Sequence, residues 1–329
     1  MNNKKKLLIA SIFLGAAAFL PINQAEAAYT LSSEVKTATP ALMNATEIGT
    51  LSYTNPNMKS SANKDAILIM SFGTTYKETR AKNIDATINA IQKANPNLKV
   101  MTSFTSHIII DRIKKKEGKT YPTPEEALKQ LKNEGYTRVA LVSLDIIPGI
   151  EYGYKRGVYE QAKKDFKSVS LGTSLLYWQG QEDQRDDIED FIKALASDIK
   201  TNSKDEAVLL MAHGTPQPAN AYYSVIQAKL NEMGYDNVYV YTVEGWPNLE
   251  TVMPKLKAKG IKKVKLQPIM MVAGDHATND MSGDEPDSHK NIFKKEGFSV
   301  SVVLKGLGEN TNIQNMYVAR AKEAVDALK

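Results

Sequence analysis

Ala207-Val208-Leu209-Leu210-Met211-Ala212-His213-Gly214 is a run of six apolar residues closed by a histidine and a glycine. A short run without polar alternation suits a strand buried on both faces, as in a parallel sheet covered by helices. Ala66-Ile67-Leu68-Ile69-Met70-Ser71-Phe72-Gly73 repeats the pattern earlier in the chain. Ile69-Met70-Ser71-Phe72-Gly73-Thr74 aligns with Leu210-Met211-Ala212-His213-Gly214-Thr215, and Pro148-Gly149-Ile150-Glu151 with Ala273-Gly274-Asp275-His276. Two pairs in the same order point to an internal duplication.

Working outward, each run opens a series of alternating strands and helices. In the first half a helix is expected over 79–95, where Ala81, Ile84, Ile88 and Ile91 have helical spacing before Pro96. A strand over 98–105, a helix over 124–134 and a strand over 138–147 follow. In the second half the series is a helix over 222–233, a strand over 237–243, a helix over 249–259, a strand over 263–272 and a last helix over 310–328. This alternation defines βαβ units. The fold class is therefore α/β, with two similar lobes, each a parallel sheet flanked by helices, and a cleft between them. The lobes are expected over residues 64–180 and 181–329, with the last helix free to pack on the first lobe. Residues 155–205 join them through a strand near 169–176 and an acidic helix over 186–199. Residues 28–63, rich in Ser, Thr, Asn and Ala, read as an N-terminal extension.

The first 27 residues read as a signal peptide. Lys4-Lys5-Lys6 precede an apolar stretch from Leu7 to Leu20, then Pro21, and Ala25-Glu26-Ala27 places small residues before a cleavage point at Ala28. The stretch is shorter than the roughly 20 residues of a membrane-spanning helix, and no membrane span is expected in the mature chain. The expected location is periplasmic or extracellular. The formal charge of +5 falls to +3 once three Lys and one Glu leave with that segment. So weak a basic balance, with no basic cluster interleaved with aromatics, argues against a nucleic-acid partner. With Cys 0 in 329 residues, disulfide scaffolds, thiol nucleophiles and Cys-ligated metals are excluded. A homo-oligomer is compatible with all of this.

Only 4 His occur, so each can be weighed. His213 ends the first strand of the second lobe, Glu244 ends the second, and His276 follows the third. That sheet edge is where open α/β folds bind ligands, and neighbouring strands lie only about 4.8 Å apart. Two imidazoles and a carboxylate suit Co²⁺, Fe²⁺, Ni²⁺ or Zn²⁺ without choosing among them. Three protein ligands leave coordination positions open. His107, ending a first-lobe strand, reads as an interface or core residue. His289, in Asp284-Glu285-Pro286-Asp287-Ser288-His289, reads as a solvated loop residue. Phe72, Tyr152, Met211, Tyr222, Trp246, Met270 and Met271 are candidates to line a flat apolar site. No G-x-S-x-G, Gly-rich phosphate loop or H-E-x-x-H is present, and no organic cofactor is implied.

The chain resembles the CbiK-type anaerobic cobalt chelatases, which share the class II chelatase fold with ferrochelatases. The resemblance is carried by Ile69 to Thr75 with Thr79-Arg80, Phe104-Thr105-Ser106, Pro148 to Tyr152, Met211 to Thr215, Val243 to Pro247 and Met270 to Met281. It implies that His213, Glu244 and His276 hold the metal and that His213 also accepts a proton. It further implies a sirohydrochlorin-type tetrapyrrole in the cleft, and Phe72, Gly73, Thr74, Tyr152, Trp246 and Met271 are the residues expected to contact it. The expected activity is insertion of Co²⁺ with release of two protons, in the anaerobic route of cobalamin biosynthesis. Fe²⁺ and Ni²⁺ are alternative metals. A secreted tetrapyrrole- or metal-binding protein without turnover is the competing reading, and a zinc hydrolase a more remote one.

Overall fold

A computed structural model describes residues 31–181 and 184–329. The segment read as a signal peptide lies outside them. Among the described residues nine strands form two sheets: β1 (Leu51–Thr54), β2 (Asp65–Ser71), β3 (Lys99–Phe104), β4 (Arg138–Ser143), β5 (Ser168–Leu171), β6 (Glu206–Ala212), β7 (Val238–Thr242), β8 (Lys263–Pro268) and β9 (Ser299–Val302). The first sheet runs β1-β5-β4-β2-β3 and the second β7-β6-β8-β9. Only β1, which pairs with β5, is antiparallel.

Read from the far edge, the lobes are β5-β4-β2-β3 and β9-β8-β6-β7, the same order of fourth, third, first and second strand. The duplication seen in the sequence is thus a duplication of topology. In each lobe the apolar run is the central strand: β6 is buried along its whole length, and β2 at all but Asp65. Register makes the alignment quantitative. Asp65 faces Arg138 across β2–β4, and Glu206 faces Lys263 across β6–β8. Counting on from there without a gap, Glu151 stands where His276 stands.

The structure departs from expectation at the edges. The segment 28–63 contributes β1 to the first sheet and a short helix, Pro40–Ala45. The second lobe gains β9, and helices form at His107–Glu117, Ile150–Ala162 and His289–Lys295. The expected helix over 79–95 is present from Lys77 to Ala94, with a π-helical stretch at Ala81–Asp85.

The lobes are not independent bodies. One hydrophobic cluster holds Ile67, Ile69 and Val142 of the first sheet together with Val208, Leu210 and Val240 of the second. The helices Asp187–Leu195 and Thr311–Asp326 fill the space through Ile188, Phe191, Tyr317 and Ala321. The last helix packs on helix Ala86–Ala94 and β4, hence on the first lobe. Its Arg320 meets the fully buried Asp187 at 2.5 Å, and Asp187 also accepts from the Tyr177 and Trp178 amides. A buried carboxylate so supplied is satisfied rather than stranded. The shared core turns the carboxyl edges of both sheets toward one another: Tyr76 of the first lobe donates to Asp275 Oδ1 of the second at 3.2 Å. No helix among the described residues is long and apolar enough to cross a membrane.

Candidate metal centre

His213 follows β6 directly, and Gly214 after it has φ 91°. A side chain at Gly214 would sit 2.7 Å from the Glu244 backbone, so glycine is what lets the two strand ends close up. The Glu244 amide then donates to His213 O at 2.7 Å. The loop beyond Glu244 is pinned by Asn220, which accepts from the Thr215 amide and donates to Trp246 O. It is pinned again by Thr242, whose amide and hydroxyl both donate to Pro247 O. His276 enters from the loop after β8 and precedes a π-helical turn, Ala277–Met281, anchored by the buried Ala277 and Met281.

These elements bring the three expected ligands together. One ligand atom from each of His213, Glu244 and His276 lies within 4.8 Å of the other two, the only such group among the described residues. The imidazoles meet edge to face, with centroids 4.7 Å apart. His213 Nδ1 lies 2.9 Å from Gly214 O. A carbonyl can only accept, so Nδ1 carries the proton and Nε2 keeps a free lone pair. His276 Nδ1 lies 2.5 Å from Asp280 Oδ2, and by the same logic its Nε2 is the free nitrogen. Side-chain exposures of 48% for His213 and 58% for Glu244 leave the trio open to a ligand arriving from the cleft. Below it, burial pushes the Tyr223 hydroxyl up to about 12, the Gly214 backbone partly opposing; this group stays protonated.

The expected cleft residues divide. Phe72, just past β2, and Trp246, in the loop after β7, are large and exposed, as are Ile108 and Ile150 at the starts of the helices that follow β3 and β4. Four exposed apolar side chains at the facing edges leave an apolar surface that a flat ligand can cover. Gly73, with φ 90°, and the buried Thr74 shape the first-lobe loop: Arg80 donates to Thr74 O, and the Thr74 hydroxyl accepts from the Tyr76 amide. Met271 is half-buried against the shared core, and Tyr222 donates to Tyr177 O. Met211 and Met270 belong to the core of the second lobe.

Three readings are corrected. Tyr152 is buried in the first-lobe core with its hydroxyl on Gly172 O, so it does not face the cleft. His107 is exposed as the first residue of a helix, not an interface or core group. His289 is not in a solvated loop. Ser288 caps a helix that begins at His289, whose ring lies against Tyr241 with Nδ1 3.1 Å from the hydroxyl. Burial lowers its pKa, with Asp280 opposing. The sequence reading also passed over Tyr76, Asn220 and Asp280. Of these only Asp280 had any trace in the sequence, a carboxylate four residues after a histidine, and that spacing does not by itself establish the contact.

The sequence profile described as Cobalt chelatase (CbiK) matches residues 65–326. The chain belongs to this family. A protein of Salmonella typhimurium named sirohydrochlorin cobaltochelatase is 34% identical over 263 residues, 80% of this chain and 97% of that one. Sirohydrochlorin cobaltochelatase CbiKC of Nitratidesulfovibrio vulgaris is 32% identical over 285 residues, 85% of this chain and 97% of its own. Among solved structures, a multidomain protein of Deinococcus radiodurans described as structurally similar to chelatases superposes with a TM-score of 0.50. It is 15% identical and aligned over 80% of this chain and 56% of that one, a likeness of fold alone. CbiK membership and the trio at the sheet edge are independent observations; the matched span, residues 65–326, contains all three side chains.

Proposed function

We propose that this CbiK-family chain is a sirohydrochlorin cobaltochelatase, a lyase-class metal chelatase that inserts Co²⁺ into a sirohydrochlorin-type tetrapyrrole. The reading rests on one observation above others: three ligand atoms within 4.8 Å of one another at a carboxyl sheet edge, in a chain whose curated relatives carry that name.

The chemistry follows from the donors. Metallation removes two pyrrole N–H protons and exchanges protein ligands for four ring nitrogens. It therefore needs a metal held by few, exchangeable ligands, and a base beside the ring. Two neutral imidazoles and one carboxylate supply the first and leave coordination positions for ring nitrogens. His213 supplies the second. Its free Nε2 takes one pyrrole proton as the metal passes to the ring nitrogens, so the ligand is released as it is protonated, and the second proton leaves to solvent at the open edge of the site. Phe72 and Trp246, at facing edges, give the macrocycle apolar surface. No redox step or nucleophile enters. Fe²⁺ and Ni²⁺ are compatible with the same donors and are competitors in the assay.

The test mixes sirohydrochlorin, Co²⁺ and substoichiometric protein and follows the tetrapyrrole absorbance. Many turnovers per chain, above the spontaneous rate, are expected. A spectral change that stops at one equivalent makes the chain a binding protein instead.

The same reading includes export, supported by Lys4-Lys5-Lys6, the apolar stretch and Ala25-Glu26-Ala27. Protein recovered from its native host should begin at Ala28; a chain beginning at Met1 would rule export by cleavage out.

A further inference from the structure

We propose that Asp280 is a positioning residue for metal delivery. Its carboxylate holds the His276 ring so that Nε2, and not Nδ1, is offered to the metal. The proposal rests on the reading of His213, Glu244 and His276 as the metal site.

The geometry is specific. Asp280 Oδ2 lies 2.5 Å from His276 Nδ1, on the side of the ring away from the free nitrogen. Asp280 is not one of the three groups whose ligand atoms gather within 4.8 Å, so it acts through His276 rather than beside it. The four-residue offset puts both side chains on one face of the turn. That turn is π-helical, with Ser282 Oγ donating to Ala277 O and Thr278 O to close it. Gly283 lets the chain fold over it, since a side chain there would meet Asn279 O at 2.4 Å. An imidazole whose Nδ1–H is held by a carboxylate is fixed in tautomer and orientation, and its other nitrogen becomes more basic.

The first lobe supplies an internal control. Glu151 occupies the place of His276, and the residue four further on is Lys155. Lys155 is fully buried and turns to Asp145 at 2.5 Å, while Glu151 is bonded to Thr105 Oγ1 at 2.8 Å. The offset therefore does not pair the two side chains by itself. The pair exists only in the lobe that carries the ligands.

The experiment titrates Co²⁺ into the full chain and its variants by calorimetry, with the visible spectrum of bound Co²⁺ recorded in parallel. Asp280→Asn should weaken Co²⁺ binding about 10- to 100-fold and change the position or intensity of the cobalt bands. Asp280→Glu should recover part of the affinity. In turnover, the Co²⁺ concentration for half-maximal rate should rise by a similar factor, with the rate at saturating Co²⁺ changed far less. Co²⁺ affinity within twofold of wild type and unchanged bands in Asp280→Asn would overturn the proposal, including where the variant merely unfolds at a lower temperature. His276→Ala separates the two levels of the argument. If it binds Co²⁺ as wild type does, the trio is not the metal site and the role of Asp280 falls with it. If it loses binding while Asp280→Asn does not, only the positioning role fails.

Discussion

At the carboxyl edge of the second sheet stand His213, Glu244 and His276; at the matching positions of the first stand Phe72, Ser106 and Glu151. The strand order is the same, the glycines after the central strands have nearly the same φ, and the strands meet in corresponding register. What differs is whether each side chain is free. Phe72 has no donor atom. Ser106 Oγ is taken up as the cap of helix His107–Glu117, accepting from the Ile109 amide. Glu151 is bonded to Thr105. In the second lobe Gly214 and the Asn220 side chain hold the strand ends, and the two imidazoles use only Nδ1 for structural bonds, leaving Nε2 free. A duplicated fold thus carries two edges of one shape, one spent on its own stability and apolar surface, the other presenting the donor atoms proposed to take the metal.

The sharpest way to break this comparison is to give the second lobe the residue of the first. His213→Phe removes a ligand and the proposed proton acceptor while keeping an aromatic ring at an exposed position. The rate at saturating Co²⁺ should fall by about 10²-fold or more, the range for loss of a general base. Initial rates corrected for the spontaneous reaction measure it. A near-wild-type rate would show that His213 neither holds the metal in a required way nor takes the proton.

The next effect is on affinity rather than turnover. Glu244→Ala and His276→Ala should each raise the Co²⁺ concentration for half-maximal rate by at least the factor expected for loss of a supporting group, about 10- to 100-fold. Excess Co²⁺ should restore part of the rate. Phe72→Ala should leave Co²⁺ binding at one ion per chain with unchanged affinity. A second ion bound beside Phe72 in a cobalt-soaked crystal would end the claim that only one lobe carries a metal.

The parts of this arrangement that were legible in the sequence are those where one physical demand dominated. β2 and β6 are central strands buried on both faces, so they had to be uninterrupted apolar runs, and the close approach of neighbouring strand ends demanded Gly73 and Gly214. The three candidate ligands recur at one βα interval because each follows one strand. Elsewhere demands overlapped. β9 is an edge strand, Ser299-Val300-Ser301-Val302, exposed on alternate residues, too short and polar to separate from a loop. Helix Ile150–Ala162 was hidden by two glycines and by Lys155, a charge at a buried position that is satisfied through Asp145 and Ser143. Tyr152 was misplaced for the same reason: without the helix its neighbourhood looked like a loop in the cleft. His289 was drawn into a loop reading by the acidic residues before it, although Ser288 is a helix cap of an ordinary kind. The Asp280 contact needed the turn geometry, since Glu151 and Lys155 have the same spacing and do not pair.

The smallest effect tests whether the two edges act together. Tyr76 is the first-lobe residue that reaches the segment carrying His276: its hydroxyl donates to Asp275 Oδ1, which also accepts from Asn279 Nδ2. Burial, then the Asp275 carboxylate, raises its pKa, so it remains a neutral donor as the pH rises through the usual tyrosine range. Tyr76→Phe deletes the hydroxyl and keeps the ring. A solvent-exposed hydrogen bond of this kind contributes at the lower end of about 0.5–1.5 kcal/mol, so kcat/KM for the tetrapyrrole should fall about two- to fivefold. Asp275→Asn should have a comparable effect, and a double-mutant cycle should return a coupling of about 0.5 kcal/mol or more. Strict additivity of the two variants, with Tyr76→Phe itself at the wild-type rate, would mean that the bridge does not join the edges in solution. The first lobe would then contribute apolar surface to the cleft and nothing to the placement of the metal.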